Sequence, residues 1–576
     1  MKKAVVVACV VSSFFLAAAF RFITRRSADV RQVIAWKRPS SLSCRVAPEG
    51  LAEAVDIPPM TGWGPHRWKI TTNSDSTQFY FNQGVNMYYA FHTLEARASF
   101  AKALRFDSTC AMAYYGKALA LGPTINFGNG FRAEAAAFEA IQAGAKYVLK
   151  CSELEKGLIR AMSQRYSADT AADLKLLQEN YASAMRSLAD AYPKNADVVV
   201  LYADALMLEH PWDLYDAALQ SRPWTPEIRR ILGKALAIDS LHPGGLHFMI
   251  HTVEGSLHPE DGVRSAELLA NLMPDVAHVV HMPSHIYIRS GHYRKGIDVN
   301  DRAVTGYNKY VQLYQPVTEG AGLYLLHAVH MQIACAMMAG NFKEAIASSD
   351  TIRTLITAAD LKAPGGFGNF VQYVYQFRLF TLIRFGKWEE ILKEPAADSS
   401  TAYVYVLDHF ARGMAFCGLG RLAEAGRELG LLEKGLQSAA LKASYDPFSN
   451  AYDAGLVAKG ILAGVLAEKK KENTSAREAL QGAVAAEDAL IYDEPRDWAI
   501  PARQYLGDLL LRMGRIKEAE IVFRRDLEIN PMNGWSLTGM QLVYKAMGDK
   551  VGLRRVNGEL GKAWEIRDQE VGRAVF

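Results

Sequence analysis

The chain has little of what marks several common classes of protein. Its six cysteines among 576 residues include no Cys-x-x-Cys pair, so a disulfide framework is not indicated. The sequence contains no phosphate loop, no Gly-x-Ser-x-Gly elbow and no dinucleotide-binding fingerprint. Its 65 Lys and Arg residues form no basic stripe, and the longest lysine run is confined to 469–471. Nucleic acid is therefore not expected as a partner.

What the chain does contain is a long and almost uninterrupted helical pattern. Half of its residues are hydrophobic and 22% are charged, which is typical of a folded protein. A chain of 576 residues is too long for one ordinary core, so it forms either several domains or one extended solenoid. Apolar residues recur at helical spacing from Phe79 onward, and strand alternation is absent. The sequence therefore predicts an all-α fold.

The first 23 residues differ from the rest of the chain. Two lysines precede an apolar run over 4–20, which suits a signal-peptide core, and the alanines at 17–19 offer a cleavage pattern. Arginines follow this run, so an uncleaved membrane anchor is the alternative. We expect an exported protein, periplasmic or secreted, with a signal peptide or membrane anchor at 1–23. Scattered prolines predict a linker or N-terminal arm at 24–74.

A repeated arrangement of small and large residues is clearest near the C-terminus. Gly507 lets two helices pack closely, Gly514 turns the chain, and Phe523 fills the space between the helices. Pro531 then ends the second helix. The same frame recurs around further glycines, namely Gly291, Gly340, Gly386 and Gly420. On these residues the chain resembles the tetratricopeptide repeat (TPR) family.

The TPR resemblance implies a right-handed α-solenoid of helix-turn-helix repeats over residues 75–570. In such proteins the first helix of each repeat lines a concave groove and the second forms the convex back. About ten repeats fit the chain, with insertions near 123–131, 210–225, 308–322 and 362–370. Compact repeats tolerate long connections where these have a function, so we expect the last three insertions to cap the groove.

Two longer strings go beyond the general repeat. His-Met-Pro-Ser-His at 281–285 and Glu-Pro-Arg-Asp-Trp at 494–498 are similar to strings of a family of large bacterial TPR proteins with a histidine-rich groove. That resemblance implies no settled activity, because repeat arrays serve many partners. From the residues alone, 494–498 and Arg503 could bind a ligand, but an aromatic and proline-containing entry to a helix explains most of the string.

Histidines recur in register with the repeats between residues 242 and 330. Nine of the 14 histidines lie in the stretch from His247 to His330. His247 and His251 stand four residues apart and so share one helix face, as do His281 and His285. The second pair follows the first by 34 residues, the length of one TPR repeat. These rings are therefore expected to point into one cavity.

Seven histidines and one glutamate form the predicted metal site. Imidazoles on neighbouring helices can converge on one ion, because helices pack about 8–10 Å apart and an imidazole binds a metal at about 2.0–2.1 Å. Glu254 shares the face of His247 and suits a ligand, an outer acceptor or a base. The site residues are His247, His251, Glu254, His278, His281, His285, His327 and His330. An imidazole set predicts a transition-metal cofactor, Zn, Cu or Fe, without fixing which.

Five of the other histidines are interpreted as loop or surface residues, and two as weaker ligands near the mouth of the groove. The surface set is His66, His92, His210, His292 and His409, and the weaker ligands are His242 and His258.

Two functions fit these observations. The first is an exported TPR protein that binds one or two transition-metal ions on the histidines of its groove, as a metal-dependent enzyme or a metal carrier. The second is a non-catalytic scaffold that binds a peptide or protein partner in the groove through aromatic and hydrogen-bonding contacts. In either case, contact with a membrane is expected only through the N-terminal segment.

Overall fold

The computed structural model describes residues 55–127, 134–169, 171–313, 321–444 and 448–576. Within these residues the regular structure is helical, with two isolated β-bridges and no strand. No helix in this part of the chain is both long and apolar enough to cross a membrane. The predicted leader at 1–23 lies outside the described residues. The prediction of an all-α fold is confirmed.

The helices follow one another along the chain with mostly short connections. They are α1 Asp75–Tyr89, α2 Thr93–Phe106, α3 Ala111–Leu121, α4 Glu134–Ala145, α5 Glu153–Arg165, α6 Leu174–Ala191, α7 Ala196–Glu209, α8 Thr225–Ile238, α9 Pro243–Glu254, α10 Val263–Leu272, α11 Ala277–His281, α12 Pro283–Arg289 and α13 Tyr293–Leu313. The second half comprises α14 Ala321–Met338, α15 Phe342–Leu355, α16 Gly365–Tyr375, α17 Phe377–Arg384, α18 Trp388–Lys393, α19 Ala402–Gly418, α20 Leu422–Gly435, α21 Ala451–Lys469, α22 Asn473–Asp488, α23 Ala502–Arg512, α24 Ile516–Ile529, α25 Gly534–Met547 and α26 Lys550–Ala563. Short 3-10 helices lie at Ile125–Phe127, Val148–Lys150, Pro259–Gly262, Asp360–Lys362 and Ala439–Lys442.

The turns and contacts within the repeats follow from the glycines that the sequence placed there. Gly291, Gly340 and Gly514 have φ values of 78°, 70° and 74°, which glycine adopts without steric cost. At Gly507 an added Cβ would lie 2.6 Å from the Phe523 ring, so the absence of a side chain allows α23 to pack directly on α24. The predicted solenoid of helix-turn-helix repeats is confirmed.

The solenoid closes on itself around its central helices. Tyr324 at the start of α14 donates a hydrogen bond to the Phe91 carbonyl after α1, at 3.2 Å. From the other end of the chain, the Ile529 carbonyl of α24 accepts from Arg289 at 2.6 Å, and Trp535 donates to the Met337 carbonyl at 2.9 Å. The central helices are therefore enclosed by contacts between distant repeats as well as by the insertions that the sequence predicted as caps.

The end of the predicted N-terminal arm packs along α1. Trp63 and Trp68 are buried, at 4% and 6% exposure. Asn86 of α1 donates to the His66 carbonyl at 2.9 Å and accepts from the His66 N–H at 3.3 Å. Thr71 donates from both its N–H and its hydroxyl to the Glu155 carboxylate, at 2.6 Å each. The described part of the arm, 55–74, is thus an extended segment fixed to the first helices.

Candidate metal centre

Three consecutive repeats bring their first helices together at the centre of the molecule. His247 and His251 lie on α9, and His327 lies on α14. Between them, the helix that carries His281 and His285 is divided by Pro283, which has no N–H to continue the hydrogen-bond ladder. Met282 keeps right-handed helical angles of −48° and −39°, so the two histidines still share one face across the break.

The first cluster consists of His247, His251 and His278. The Nε2 atoms of His247 and His251 are 3.1 Å apart. A nitrogen of His278 lies within 4.8 Å of a nitrogen of each of them, and both ring nitrogens of this buried side chain lack a hydrogen-bond partner. Because a buried unpaired polar group is costly, His278 is suited to a partner that the protein itself does not supply.

The second cluster consists of His281, His285 and His327. The Nε2 atoms of His281 and His285 are 2.7 Å apart, and Nε2 of His327 lies 3.4 Å from Nε2 of His285. His281 and His285 are buried at 1% and 0% exposure. The two clusters adjoin, since the ring centres of His251 and His285 are 5.9 Å apart.

Two histidines donate their outer ring N–H to a neutral oxygen. Nδ1 of His247 lies 2.7 Å from the Tyr89 carbonyl oxygen, which can only accept. Nδ1 of His281 lies 2.6 Å from Oδ1 of Asn300. The Asn300 amide is oriented by its own N–H bond to the Gly296 carbonyl at 2.8 Å. In the neutral ring of each histidine, Nε2 therefore carries a lone pair directed into the cluster.

Glu254 serves the other two histidines, one from each cluster. Its carboxylate oxygens accept from Nδ1 of His251 and Nδ1 of His285, at 2.8 Å each, and from the Tyr492 hydroxyl at 2.9 Å. The positive charge of the two imidazoles holds the pKa of Glu254 well below its usual value, although burial opposes this. A carboxylate behind a metal-bound histidine fixes the ring and raises its basicity. Glu254 is placed for that outer role.

The facing Nε2 atoms need a cation between them, because two lone pairs at 2.7 or 3.1 Å repel each other. A proton can serve. Burial opposes charge on His285, yet the neighbouring carboxylates raise its pKa to about 10, and the pKa of His251 is also raised. Burial and the adjacent imidazole hold the pKa of His247 and His281 well below the ordinary value. A metal ion can replace the proton at each place.

The distances within the clusters suit metal coordination. Two nitrogens bound at 2.0–2.1 Å to a tetrahedral ion stand about 3.3 Å apart. The Nε2 separations of 3.1 Å in the first cluster and 3.4 Å in the second are close to that value, whereas the 2.7 Å between His281 and His285 would have to widen by about 0.6 Å on binding. Three histidines leave a fourth coordination position open, which is the arrangement of catalytic zinc sites. Each cluster could therefore hold one ion with one position free for water or a substrate.

Glu494 is the site residue that the sequence interpretation missed. It lies between α22 and α23, and its Oε1 is 3.3 Å from Nδ1 of His251 and 3.1 Å from Nδ1 of His285. Its Oε2 is 3.7 Å from Nε2 of His327. The signal was the string at 494–498, whose acidic first residue carried no role in a helix-entry interpretation.

A pocket of about 90 Å³ opens beside both clusters, and we call it the histidine-side pocket. His278 from the first cluster, His327 from the second and Glu494 all line it. This is the direction from which a small molecule could reach an open coordination position.

The insertions contribute to the same pocket. Asn126, Trp212 and Phe370 come from three of them, and all three side chains line it. The Trp212 ring also packs edge-on against His251, with ring centres 5.1 Å apart. Of the insertion near 308–322, residues 314–320 lie outside the described part of the chain.

His330 is the predicted ligand that the structure does not bring to the clusters. Its ring packs among Phe370, Tyr373 and Phe377, with 4.3 Å between the centres of His330 and Phe377. Neither ring nitrogen has a hydrogen-bond partner, and burial lowers its pKa to about 3. His330 therefore faces the aromatic side chains of α16 and α17, although His278 and His281, which have the same i, i+3 spacing as His327 and His330, both join the clusters.

Three further histidines lie where the sequence did not place them. His66, interpreted as a surface residue, has Nε2 at 2.8 Å from Oδ1 of Asp197. His242 has Nε2 at 3.2 Å from the same oxygen, and Tyr89 donates its hydroxyl to it at 2.9 Å. His92, also assigned to the surface, is buried at 6% exposure. By contrast, the weaker candidate His258 is exposed, with Nδ1 at 3.1 Å from a Glu260 oxygen.

Solved structures of helical-repeat proteins are similar to this chain over most of its length. No protein-family model matches the chain, and no curated protein matches it. The human IFIT1 dimer with m7Gppp-AAAA is 13% identical over 93% of this chain and 99% of that one, with a TM-score of 0.30. Yeast Tom70 is 11% identical over 84% and 93% of the two chains, with a TM-score of 0.28. The P58(IPK) TPR domain is 10% identical over 84% and 99%, with a TM-score of 0.18. Scores of this size carry no argument about the site.

Proposed function

We propose that this helical-repeat protein is a metal-dependent enzyme with two neighbouring three-histidine sites. His247, His251 and His278 would bind one transition-metal ion, and His281, His285 and His327 would bind a second. Imidazole ligands suit Zn, Cu or Fe. The ions would act as Lewis acids or activate a bound water or substrate at the open position of each site.

One observation carries the proposal. In both clusters the outer nitrogens of the paired histidines are held by oxygen acceptors, while the inner nitrogens face each other at 2.7 and 3.1 Å. Metal-bound histidines have this arrangement, with one nitrogen on the ion and the other N–H on an oxygen. Histidines that only pack in a core have no need for it.

Burial and the adjoining pocket favour an enzyme over a metal carrier. His247 and His285 are 0% exposed, so an ion there could not pass to another protein without opening the fold. The histidine-side pocket instead leads a small molecule to His278 and His327. A peptide-binding scaffold has less support, because His247, His251, His281 and His285 are buried and could not contact a peptide without opening of the fold.

Elemental analysis of protein purified without chelator tests the proposal. We expect two equivalents of a transition metal per chain and a melting temperature that falls on chelation, because an ion that binds only the folded state stabilises it. His292→Ala serves as the control, since His292 is exposed and lies outside both clusters. Protein that holds no stoichiometric metal and gains no stability from Zn, Cu, Fe or Ni would overturn the proposal.

Export remains part of the proposal and is supported by the lysines and apolar run at the N-terminus. We expect the chain in the periplasmic or secreted fraction of its cell. Fractionation followed by N-terminal sequencing would distinguish a cleaved leader from an uncleaved anchor.

A further inference from the structure

A second pocket adjoins the histidine-side pocket on the side away from the histidines. It has a volume of about 40 Å³ and shares Phe370, Phe448 and Asp493 with the first pocket as lining residues. Asp497 lines it as well, so we call it the aspartate-side pocket. The two spaces are therefore neighbours that meet at these three side chains.

Two of the residues that line this space carry a buried oxygen atom without a hydrogen-bond partner. Oδ2 of Asp497 and the hydroxyl of Tyr373 are buried and make no hydrogen bond, although both residues line the aspartate-side pocket. Tyr373 is only 6% exposed, so water does not compensate its hydroxyl freely. The side-chain N–H groups of Asn369 are committed to the carbonyls of Ala440 and Ala443, at 2.9 and 3.2 Å, which leaves only its oxygen for a ligand.

The two pockets are acidic and aromatic, and no lysine or arginine lines either of them in the described part of the chain. Asp493 and Asp497 stand there beside the rings of Phe370, Phe448 and Tyr403. Burial and the neighbouring Asp493 raise the pKa of Asp497 well above its usual value, and Arg496, which opposes this shift, lines a different pocket. Buried carboxylates require a partner that carries positive charge or donates hydrogen bonds, and aromatic faces attract organic cations.

We infer that the aspartate-side pocket binds the ammonium or guanidinium group of a small organic cation. Asp497 and Asp493 would pair with the charge, and the Tyr373 hydroxyl would accept one N–H. The apolar body of the ligand would lie between Phe370 and Phe448, and its other end would enter the histidine-side pocket. The cation site itself does not require a metal. Only the further statement that the bound amine is the substrate of the metal centre rests on the proposed function.

Calorimetric titration of the full chain with benzylamine tests the charge preference. Benzylamine is positively charged at neutral pH, and benzyl alcohol has nearly the same shape without the charge. We expect benzylamine to bind at least tenfold more tightly than benzyl alcohol, and benzoate not to bind. A second pair of probes is the peptide Phe-Gly-Gly, whose amino terminus is charged, and its uncharged N-acetyl form. If Phe-Gly-Gly binds more tightly than benzylamine, the natural ligand is a peptide amino terminus, and if benzylamine binds more tightly, it is a small free amine.

Asp497→Asn keeps the shape of the side chain and removes its ability to become negatively charged beside a bound cation. We expect this variant to bind benzylamine about tenfold more weakly or worse, because a hydrogen bond to a charged group contributes more binding free energy than one between neutral groups. Tyr373→Phe should weaken binding a few-fold. Asp298→Asn, an exposed position on α13, should leave affinity unchanged. Unchanged melting temperature and metal content would show that each variant is folded and that its metal sites are intact.

The outcomes separate this inference from the proposed function. Benzylamine binding that exceeds benzyl alcohol binding and is weakened by Asp497→Asn supports the cation site, whether or not the protein holds metal. Metal-free protein with this preference would overturn the proposed function and keep the inference. Metal-loaded protein that binds benzylamine no better than benzyl alcohol, or equally well with Asn at 497, would overturn the inference alone.

Discussion

Among the described residues, histidines lie close enough to hold a metal ion both in the two central clusters and in the group of His66, Asp197 and His242, but only the central clusters are built like metal sites. In the central clusters, the inner nitrogens of His247 and His251 face each other with no donor between them in the neutral rings. In the group of His66, Asp197 and His242, each close contact already joins a donor to an acceptor. Nδ1 of His242 accepts from the Gly245 N–H at 3.1 Å, so its Nε2 carries the proton that Asp197 accepts.

Proximity alone therefore does not separate a ligand set from a hydrogen-bond network. The second group has a structural use, since Asp197 joins the N-terminal arm to α7 and to the start of α9. It also accepts from the hydroxyl of Tyr89, whose carbonyl orients His247. The network supports the metal centre from outside, and substitutions in the two groups should fail in different ways.

The largest effect is expected from removal of a central ligand. His285→Ala should abolish binding of at least one ion per chain and lower metal affinity by more than the roughly 100-fold that loss of an outer partner costs. His242→Ala removes a histidine that is equally buried, at 0% exposure, and should leave the metal content unchanged. Elemental analysis and zinc titration measure both. Equal loss of metal in the two variants would erase the distinction between the groups.

Next in size is the effect of removing the charge that orients two ligands. Glu254→Gln replaces one acceptor oxygen by an N–H₂ group, which cannot accept from His251, His285 or Tyr492. We expect metal affinity to fall roughly 10–100-fold while the protein stays folded. Glu260→Gln is the control, because this exposed carboxylate pairs only with the exposed His258. Equal affinity for metal in wild type and Glu254→Gln would contradict the outer role.

Asp197→Asn should affect folding and spare the metal. The substitution places an amide beside the donors of His66, His242 and Tyr89, and we expect the free energy of unfolding to fall by about 2 kcal/mol. Urea denaturation measures this change. The variant should retain the wild-type number of ions. Loss of an ion would instead reveal a third metal site at this group.

The smallest effect concerns His330 and pH. Burial lowers the pKa of His330 to about 3 in the folded protein. As the pH falls through about 6.5, His330 therefore becomes protonated in the unfolded chain but stays neutral in the folded one. Stability is thus present at pH 8 and decreases toward acid, by about 1 kcal/mol at pH 6. In His330→Phe, the free energy of unfolding should decrease less between pH 8 and pH 6 than in the wild type. Urea denaturation of the two chelator-treated proteins measures this difference. If His330→Phe bound fewer metal ions than the wild type, His330 would have to be counted as a ligand after all.

The sequence predicted much of the fold and part of the site because both depend on local spacing. A glycine turn such as Gly514 and a packing pair such as Gly507 and Phe523 act within one repeat. The i, i+4 spacing of His247 and His251 likewise places two rings on one face without knowledge of the rest of the molecule. Such features can be found by periodicity.

What the sequence did not predict depends on how distant repeats meet. Glu494 reaches the histidines only because the chain between α22 and α23 packs over α9 and α12. The burial of the site depends on contacts such as Arg289 to the Ile529 carbonyl, between residues far apart in the chain. His66 and His92 were assigned to the surface for the same reason, since Asp197, which pairs with His66, and the Tyr310 ring, which packs against His92, lie far along the chain. The spacing of residues within one helix contains no information about these contacts between distant repeats.

The closure of the solenoid also sets an order in time. All six clustered histidines precede Tyr492, Glu494 and Ile529, which complete the enclosure from the C-terminal side. A chain synthesised at about 5–20 residues per second completes His327 roughly 10–30 s before Glu494. Ions can enter from solvent during that interval. Once the last repeats have packed, exchange must wait for an opening that separates Arg289 from the Ile529 carbonyl, so the finished protein should retain the metal it first received.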